Sequence, residues 1–450
     1  MPAMPASAAA TFTTAAPCVR ESDTVLRGAG PSAIVRLAQA ALTVLLALAA
    51  ARLLGAAEYG RFALAATLST LLAVPVGLGL PTLAVREVAG RAHGDPGRLR
   101  ALARTGPWLI IGAGAALTAT TALALAVAPA GLPAPRDAPL LLGAVALAGP
   151  WALLRWAGGW LQGLGRAVWA QAGDGLLRPL LALAGLGLCA GAGLDGPAAF
   201  AVLAGAVLGA LGIVARQVHR AGRLWPSDAP ARPDTVGWLG VGLPLMAAGT
   251  LSMLQLTADV AMLGALADSS AAGVYHVASR LAQLAALLLV AANVVVAPRA
   301  AQLHRAGDRA GLQRLLTHSA RLTTVAALVV LAATLPGGAA LLDLFGPGFA
   351  AGAPALTVCA LAQLANVACG SVAVVLAMTG RQRALLLGVT LGAGVNLVLN
   401  ALLIPACGML GAALATLAST AVWNGVLAWQ VRRSLGVDPT VLGRVPEAPR

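Results

Sequence analysis

The arginines of this chain alternate with its apolar stretches in a way that few folds allow. All 30 basic residues are Arg, and they fall almost entirely into every second gap between long apolar runs. About twelve runs have helix-spanning length: 33–53, 60–80, 106–129, 138–162, 167–190, 196–216, 236–264, 271–297, 319–342, 354–378, 383–405 and 408–431. Each can cross a hydrocarbon core about 30 Å thick, which takes roughly 20 apolar residues. With the N-terminus placed in the cytoplasm, 24 arginines lie in inside segments. Three (Arg52, Arg61, Arg136) lie in outside loops, and three (Arg155, Arg178, Arg280) lie within spans. Cytoplasmic loops carry the excess of positive charge, so the pattern predicts an all-α polytopic protein of the cell membrane with both termini inside.

Composition supports a membrane protein and excludes other classes. The chain is 59% hydrophobic and 10% charged, far from the roughly 25% charged residues of a soluble domain. A net charge of +14 would suggest nucleic acid in a soluble protein. Here cytoplasmic loops facing anionic headgroups account for it, and no nucleic-acid partner is expected. The absence of Lys beside so much Ala, Gly and Leu reads as GC-rich coding bias. Cys18, Cys189, Cys359, Cys369 and Cys407 form no CxxC pair or metal spacing and read as buried apolar thiols. No metal or cofactor is expected, no phosphate-loop fingerprint is present, and short outside loops leave no domain for chemistry, so the chain is not read as an enzyme.

Residues 1–32 are read as a disordered cytoplasmic tail. The polar stretch 218–235, with Pro226, Pro230 and Pro233, then separates a six-helix lobe at 33–217 from a second at 236–431, and 432–450 forms a cytoplasmic tail. The halves share a motif. Leu54-Gly55 and a short turn precede Gly60-Arg61-Phe62; Leu263-Gly264 and a longer turn precede Gly273-Val274-Tyr275. Six spans is an even number, so the lobes share an orientation and are expected to be pseudo-symmetric around a central cavity.

Charged residues within spans are costly, on the order of 2.5–3.5 kcal/mol on insertion scales, and each is a candidate site. Arg155 and Asp174 each lie eight residues from the inside turn 163–166, so both sit about 12 Å above it and could pair. Asp259 and Arg280 stand in the same relation to an outside turn and could pair too. That leaves Arg178 without an acid. Arg36 lies one turn inside span 1 and reads equally as a snorkelling anchor or a cavity cation. Among the neutral polar groups, Gln39, Gln255, Asn366, Asn396 and Asn400 are candidates for lining a wet cavity, with interhelical hydrogen bonding as the simpler role. His276 reads as a packed residue. The nine tryptophans cluster near span ends, where an interfacial belt explains most of them.

Several segments carry a family resemblance: Ala51-Arg-Leu-Leu-Gly-Ala-Ala-Glu-Tyr-Gly60, Asp259-Val-Ala-Met-Leu-Gly264, Gly273-Val-Tyr-His-Val-Ala-Ser-Arg-Leu281, Phe345-Gly-Pro-Gly-Phe349, Asn396-Leu-Val-Leu-Asn400 and Gly408-Met-Leu-Gly-Ala-Ala-Leu-Ala-Thr416. With Pro298-Arg299, Gly307-Asp308-Arg309 and Met378-Thr-Gly380, they span about 33–436. In order and spacing the chain resembles the polysaccharide transporters, the O-antigen-type oligosaccharide flippases of the multidrug/oligosaccharidyl-lipid/polysaccharide exporter superfamily. The resemblance implies a V-shaped bundle with a cationic cavity. It also implies transfer of an undecaprenyl-pyrophosphate-linked oligosaccharide to the periplasmic leaflet for surface polysaccharide (O-antigen, capsule or exopolysaccharide) synthesis. Related cell-wall precursor flippases place Arg in their first and eighth helices, which implies cavity roles for Arg36 and Arg280; Arg178 is expected to join them. The implied partners are the lipid-linked glycan, the membrane, and a polymerase and glycosyltransferases of the same pathway, with the chain itself a monomer. A cation-coupled multidrug exporter of the same superfamily, and a membrane-embedded glycan polymerase or ligase, are the alternatives.

Overall fold

The computed structural model describes residues 18–89, 96–127, 137–222 and 233–444. Residues 1–17 of the tail expected at 1–32, most of the linker (223–232) and the end of the C-terminal tail (445–450) lie outside the described residues.

Among the described residues there is no strand, and nine helical runs are long and apolar enough to cross a membrane. Two of these runs are each two helices. Cys18–Val76 turns at Gly55 (φ 73°, ψ 172°), and Gln382–Leu435 turns at Gly408 (φ 56°, ψ −131°). An unbroken helix of the first length would reach about 88 Å, nearly three hydrocarbon thicknesses. A further span, 167–188, is interrupted by a π-turn at Gly173–Leu177. The twelve spans are therefore 18–54, 56–76, Pro96–Val127, Ala138–Gly163, 167–188, Gly196–Gly222, Thr235–Leu266, Ser269–Arg305, Arg309–Asp343, Phe349–Met378, 382–407 and 409–435. They are called spans 1 to 12 in that order. Span 1 takes in residues 18–32, which the sequence places in the tail.

A short amphipathic helix, Leu80–Ala89, follows span 2 and packs its buried Leu80, Leu83 and Val88 on span 4. Span 9 runs through Pro336 to Asp343, so only residues 344–348 separate it from the 3₁₀ turn at Phe349. The last segment is also ordered. Gln313 on span 9 donates to the Asp438 carbonyl (2.7 Å) and accepts from the Asp438 N–H (2.6 Å), while Val441 N–H donates to Ala368 O on span 10 (2.9 Å). Part of the expected tail is thus docked on the second lobe.

Burial corrects two expectations. Trp151, Trp156, Trp160 and Trp238 are buried inside the protein rather than in an interfacial belt, whereas Trp108, Trp169 and Trp429 are exposed. Of the described thiols only Cys359 is buried; Cys407 is exposed.

The lobes meet where their sequence motifs repeat. A Cβ on Gly273 would lie 2.7 Å from Gly60 Cα, and one on Gly60 would lie 1.7 Å from Ser269 O. The two copies of the motif therefore touch each other across the lobe boundary, at the end of the bundle away from the described ends of the chain. There Tyr59 OH and His276 Nδ1 share a hydrogen bond of 2.8 Å between lobes, walled by Phe62 and Phe349. His276 is the packed, hydrogen-bonded residue the sequence suggests.

Candidate functional site

A cavity of about 590 Å³ lies between span 1 of the first lobe and spans 7, 8, 10, 11 and 12 of the second. That volume is typical of small-molecule sites. Depth follows from the helix rise. Asp259, Tyr275 and Thr416 lie near the closed end. Gln255, Arg280 and Thr420 lie one turn further in, eleven residues from Leu266, Ser269 and Met409 at that end, and Gln363 lies ten residues into the α-helix that starts at Ala353, each about 16 Å down. Arg36 stands lower on span 1, where it is exposed.

The expected pair of Asp259 and Arg280 is not formed. Asp259 accepts from Asn400 Nδ2 (2.7 Å), Tyr275 OH (2.9 Å) and Thr416 Oγ1. Arg280 Nη1 donates to Gln283 Oε1 (3.1 Å), and its Nε reaches His276 Nε2 at 3.5 Å. The reason is azimuth. Tyr275 faces Asp259, and Arg280, five residues on, is rotated about 140° away from that face. Nor are the two residues level: span 8 starts at Ser269, which sets Arg280 about one turn deeper than Asp259, and its guanidinium lines the cavity. A 3₁₀ turn at Leu284–Ala286 directly follows.

The other expected pair is formed, with a third member. Arg155 Nε lies 3.8 Å from Asp174 Oδ2, and Arg178 Nε donates to Asp174 Oδ1 at 2.9 Å. Trp151 Nε1 donates to the same oxygen (3.1 Å), and the Arg178 guanidinium lies 4.9 Å from the Trp151 ring centroid. The π-turn of span 5 carries Asp174 at its start and so seats it among these groups on span 4. Arg178 thus has an acid partner, contrary to the sequence expectation, and Arg155, Asp174 and Arg178 do not line the cavity described above.

Of the remaining candidates, Arg36, Gln39, Gln255, Asp259, Arg280 and Asn366 all line the cavity. Gln39 Nε2 donates to Gln171 O on span 5 (3.0 Å), which ties span 1 to the π-turn region. Asn396 and Asn400 are fully buried behind it: Asn400 Nδ2 bridges Asp259 and Asn396 Oδ1 (3.0 Å), and Asn396 Nδ2 donates to Ser419 (3.3 Å). Asn400 Oδ1 is buried with no partner among the described residues. Sequence reasoning missed Tyr275, Thr416, Ser419 and Trp423 as site groups. The one available signal was spacing, since Thr416, Ser419 and Trp423 fall at i, i+3 and i+7 on one face of span 12. Among the described residues no group of three or more His, Cys, Asp or Glu could hold a metal ion.

No family model matches the chain, and no curated protein matches it. Solved structures do. The lipid II flippase MurJ in an inward closed conformation aligns with TM-score 0.71 at 14% identity, covering 89% of this chain and 87% of that one. An inward-facing multidrug resistance MATE family transporter aligns with TM-score 0.66 at 15% identity, covering 90% and 98%. A MOP superfamily transporter from Pyrococcus furiosus, described as having a binding pocket of reversed polarity, aligns with TM-score 0.63 at 14% identity, covering 91% and 95%. The chain has the fold of the MOP superfamily transporters. The Tyr59–His276 contact joins the two lobes at the end of the bundle beyond Asp259 and Tyr275.

Proposed function

We propose that this chain is a flippase for an undecaprenyl-pyrophosphate-linked oligosaccharide, carried from the cytoplasmic to the periplasmic leaflet for surface polysaccharide synthesis by alternating access of the two lobes. The observation that carries this reading is the charge of the cavity wall. Arg36 on span 1 and Arg280 on span 8 line it, Arg280 bonds to no acid among the described residues, and the one carboxylate among the described lining residues, Asp259, is occupied by three donors. A guanidinium presents a planar fork that suits pyrophosphate. A lipophilic cation would meet two positive charges there, which argues against the drug-exporter reading.

The prenyl chain stays in lipid while the headgroup crosses. A negative cell interior favours outward movement of an anion by about 2.3 kcal/mol per charge at 100 mV, so roughly 4–5 kcal/mol for a headgroup of about two charges that crosses uncompensated.

Purified protein is expected to bind a short-chain polyprenyl pyrophosphate, with affinity falling as salt rises, and to be indifferent to tetraphenylphosphonium. Tight binding of the cation without binding of the lipid would overturn the proposal. Orientation has its own test, in a background with the native cysteines replaced. A cysteine at Ala310 is expected to be labelled only from the cytoplasm, and one at Ala267 only from outside. The reverse pattern would invert the direction of transport.

A further inference from the structure

We infer that the second lobe carries a sugar-binding wall, formed by the side-chain amides of Gln255, Gln363 and Asn366, beside the cationic pole at Arg280. This rests on the pyrophosphate reading above and specifies what lies next to the phosphate. The three amides line the same cavity as Arg280 but come from spans 7 and 10, whereas Arg36 comes from span 1. Gln255, Gln363 and Arg280 lie at one depth by the helix rise, so the wall stands beside the guanidinium and not below it.

The wall is neutral and pre-oriented. Buried Asn424 donates from Nδ2 to Asn366 Oδ1 (3.1 Å) while also donating to Thr420 O (3.0 Å). That fixes which way the Asn366 amide faces, and Asn366 Nδ2 in turn donates to Gln363 Oε1 (3.4 Å). The Gln363 amino group and the whole Gln255 amide make no hydrogen bond with the other described residues, although both residues line the cavity. Trp423 borders them, seated against Gly392, where a Cβ would come 2.8 Å from Trp423 Cβ. Paired donors and acceptors beside an indole are the chemistry that recognises vicinal hydroxyls and the apolar face of a pyranose ring. A phosphate alone needs donors only, so the free Gln255 Oε1 acceptor in this wall has no use in a pure anion site. A glycosyl pyrophosphate fills both poles at once, with the phosphates at Arg280 and the first sugar against the amides.

The test uses the full-length purified protein and two probes. One is a short-chain polyprenyl pyrophosphate; the other is the same lipid pyrophosphate carrying one or two sugars. Wild type is expected to bind the glycosylated lipid more tightly. The double variant Gln255→Leu/Gln363→Leu is expected to lose about tenfold on the glycosylated lipid and to leave the bare pyrophosphate within about twofold, the loss of two neutral hydrogen bonds. Gln363→Met alone, a milder change of shape, is expected to lose a smaller share with the same selectivity. Equal losses on both probes, no loss on either, or no preference in wild type would overturn the sugar wall and leave the pyrophosphate reading standing. Failure of wild type to bind either probe would overturn both.

Discussion

Gly60→Ala is expected to hold the outer end open and reduce flipping at least tenfold, at normal membrane abundance. The added Cβ would lie 1.7 Å from the Ser269 carbonyl oxygen, 2.5 Å from its carbon and 3.2 Å from Ser270 N. These are backbone atoms, which cannot swing aside as a side chain would. Spans 2 and 8 must therefore separate where they meet, and separation stretches the Tyr59–His276 bond of 2.8 Å that spans the same boundary. Overpacking of this kind costs typically 1–3 kcal/mol. A penalty of that size on one state of a two-state transporter moves its population by about 5- to 150-fold. A cysteine at Thr43, in the cavity, should become reactive to an impermeant reagent from outside in the variant and remain unreactive in wild type. Wild-type flipping with no outside labelling would show that the glycine contact does not govern closure.

Arg280→Ala is expected to reduce flipping of the lipid-linked glycan by about 10- to 100-fold, the range for loss of a charge-assisted hydrogen-bonding group. Folding should survive. Arg280 bonds to Gln283 and His276, neither of them an acid, so its removal leaves no carboxylate among its partners without a cation. This separates it from Arg178, whose loss would strip Asp174 of its 2.9 Å partner and is expected to lower abundance. Arg280→Lys should recover part of the activity, because it returns the charge without the fork. Flipping at the wild-type rate by an Arg280→Ala protein of normal abundance would move the anion site onto Arg36.

Much of this architecture was legible in the sequence because it follows from one-dimensional properties. Span count depends on apolar run length, and twelve runs gave twelve spans even where helices join through Gly55 and Gly408. The repeat around Gly60 and Gly273 was visible as text, and its meaning emerged only when the two glycines proved to touch. Depth along a span was also readable, which is why Arg155 and Asp174 were matched correctly. Azimuth was not. Span 8 has apolar and polar residues on several faces, and nothing in one dimension says that Tyr275, not Arg280, turns toward Asp259. The π-turn at 173–177 is not anticipated by any periodicity count, but the partner of Arg178 was legible and overlooked: Asp174 lies four residues before it, a spacing that puts both on one helix face. Burial of Trp151, Trp156 and Trp160 was missed for a related reason: proximity to a span end in sequence does not distinguish a lipid-facing ring from one packed between helices.

A cavity that carries an anionic, lipid-linked glycan is tested in the flipping step itself. The most direct measurement is leaflet exchange in vesicles containing the purified chain, with a fluorescent polyprenyl pyrophosphate bearing an oligosaccharide and an impermeant quencher outside. The account predicts protein-dependent loss of protection of the labelled headgroup, slowed by Arg280→Ala, with no accumulation of tetraphenylphosphonium in the same vesicles. Gradient-driven accumulation of the cation with an unmoved glycolipid would contradict it.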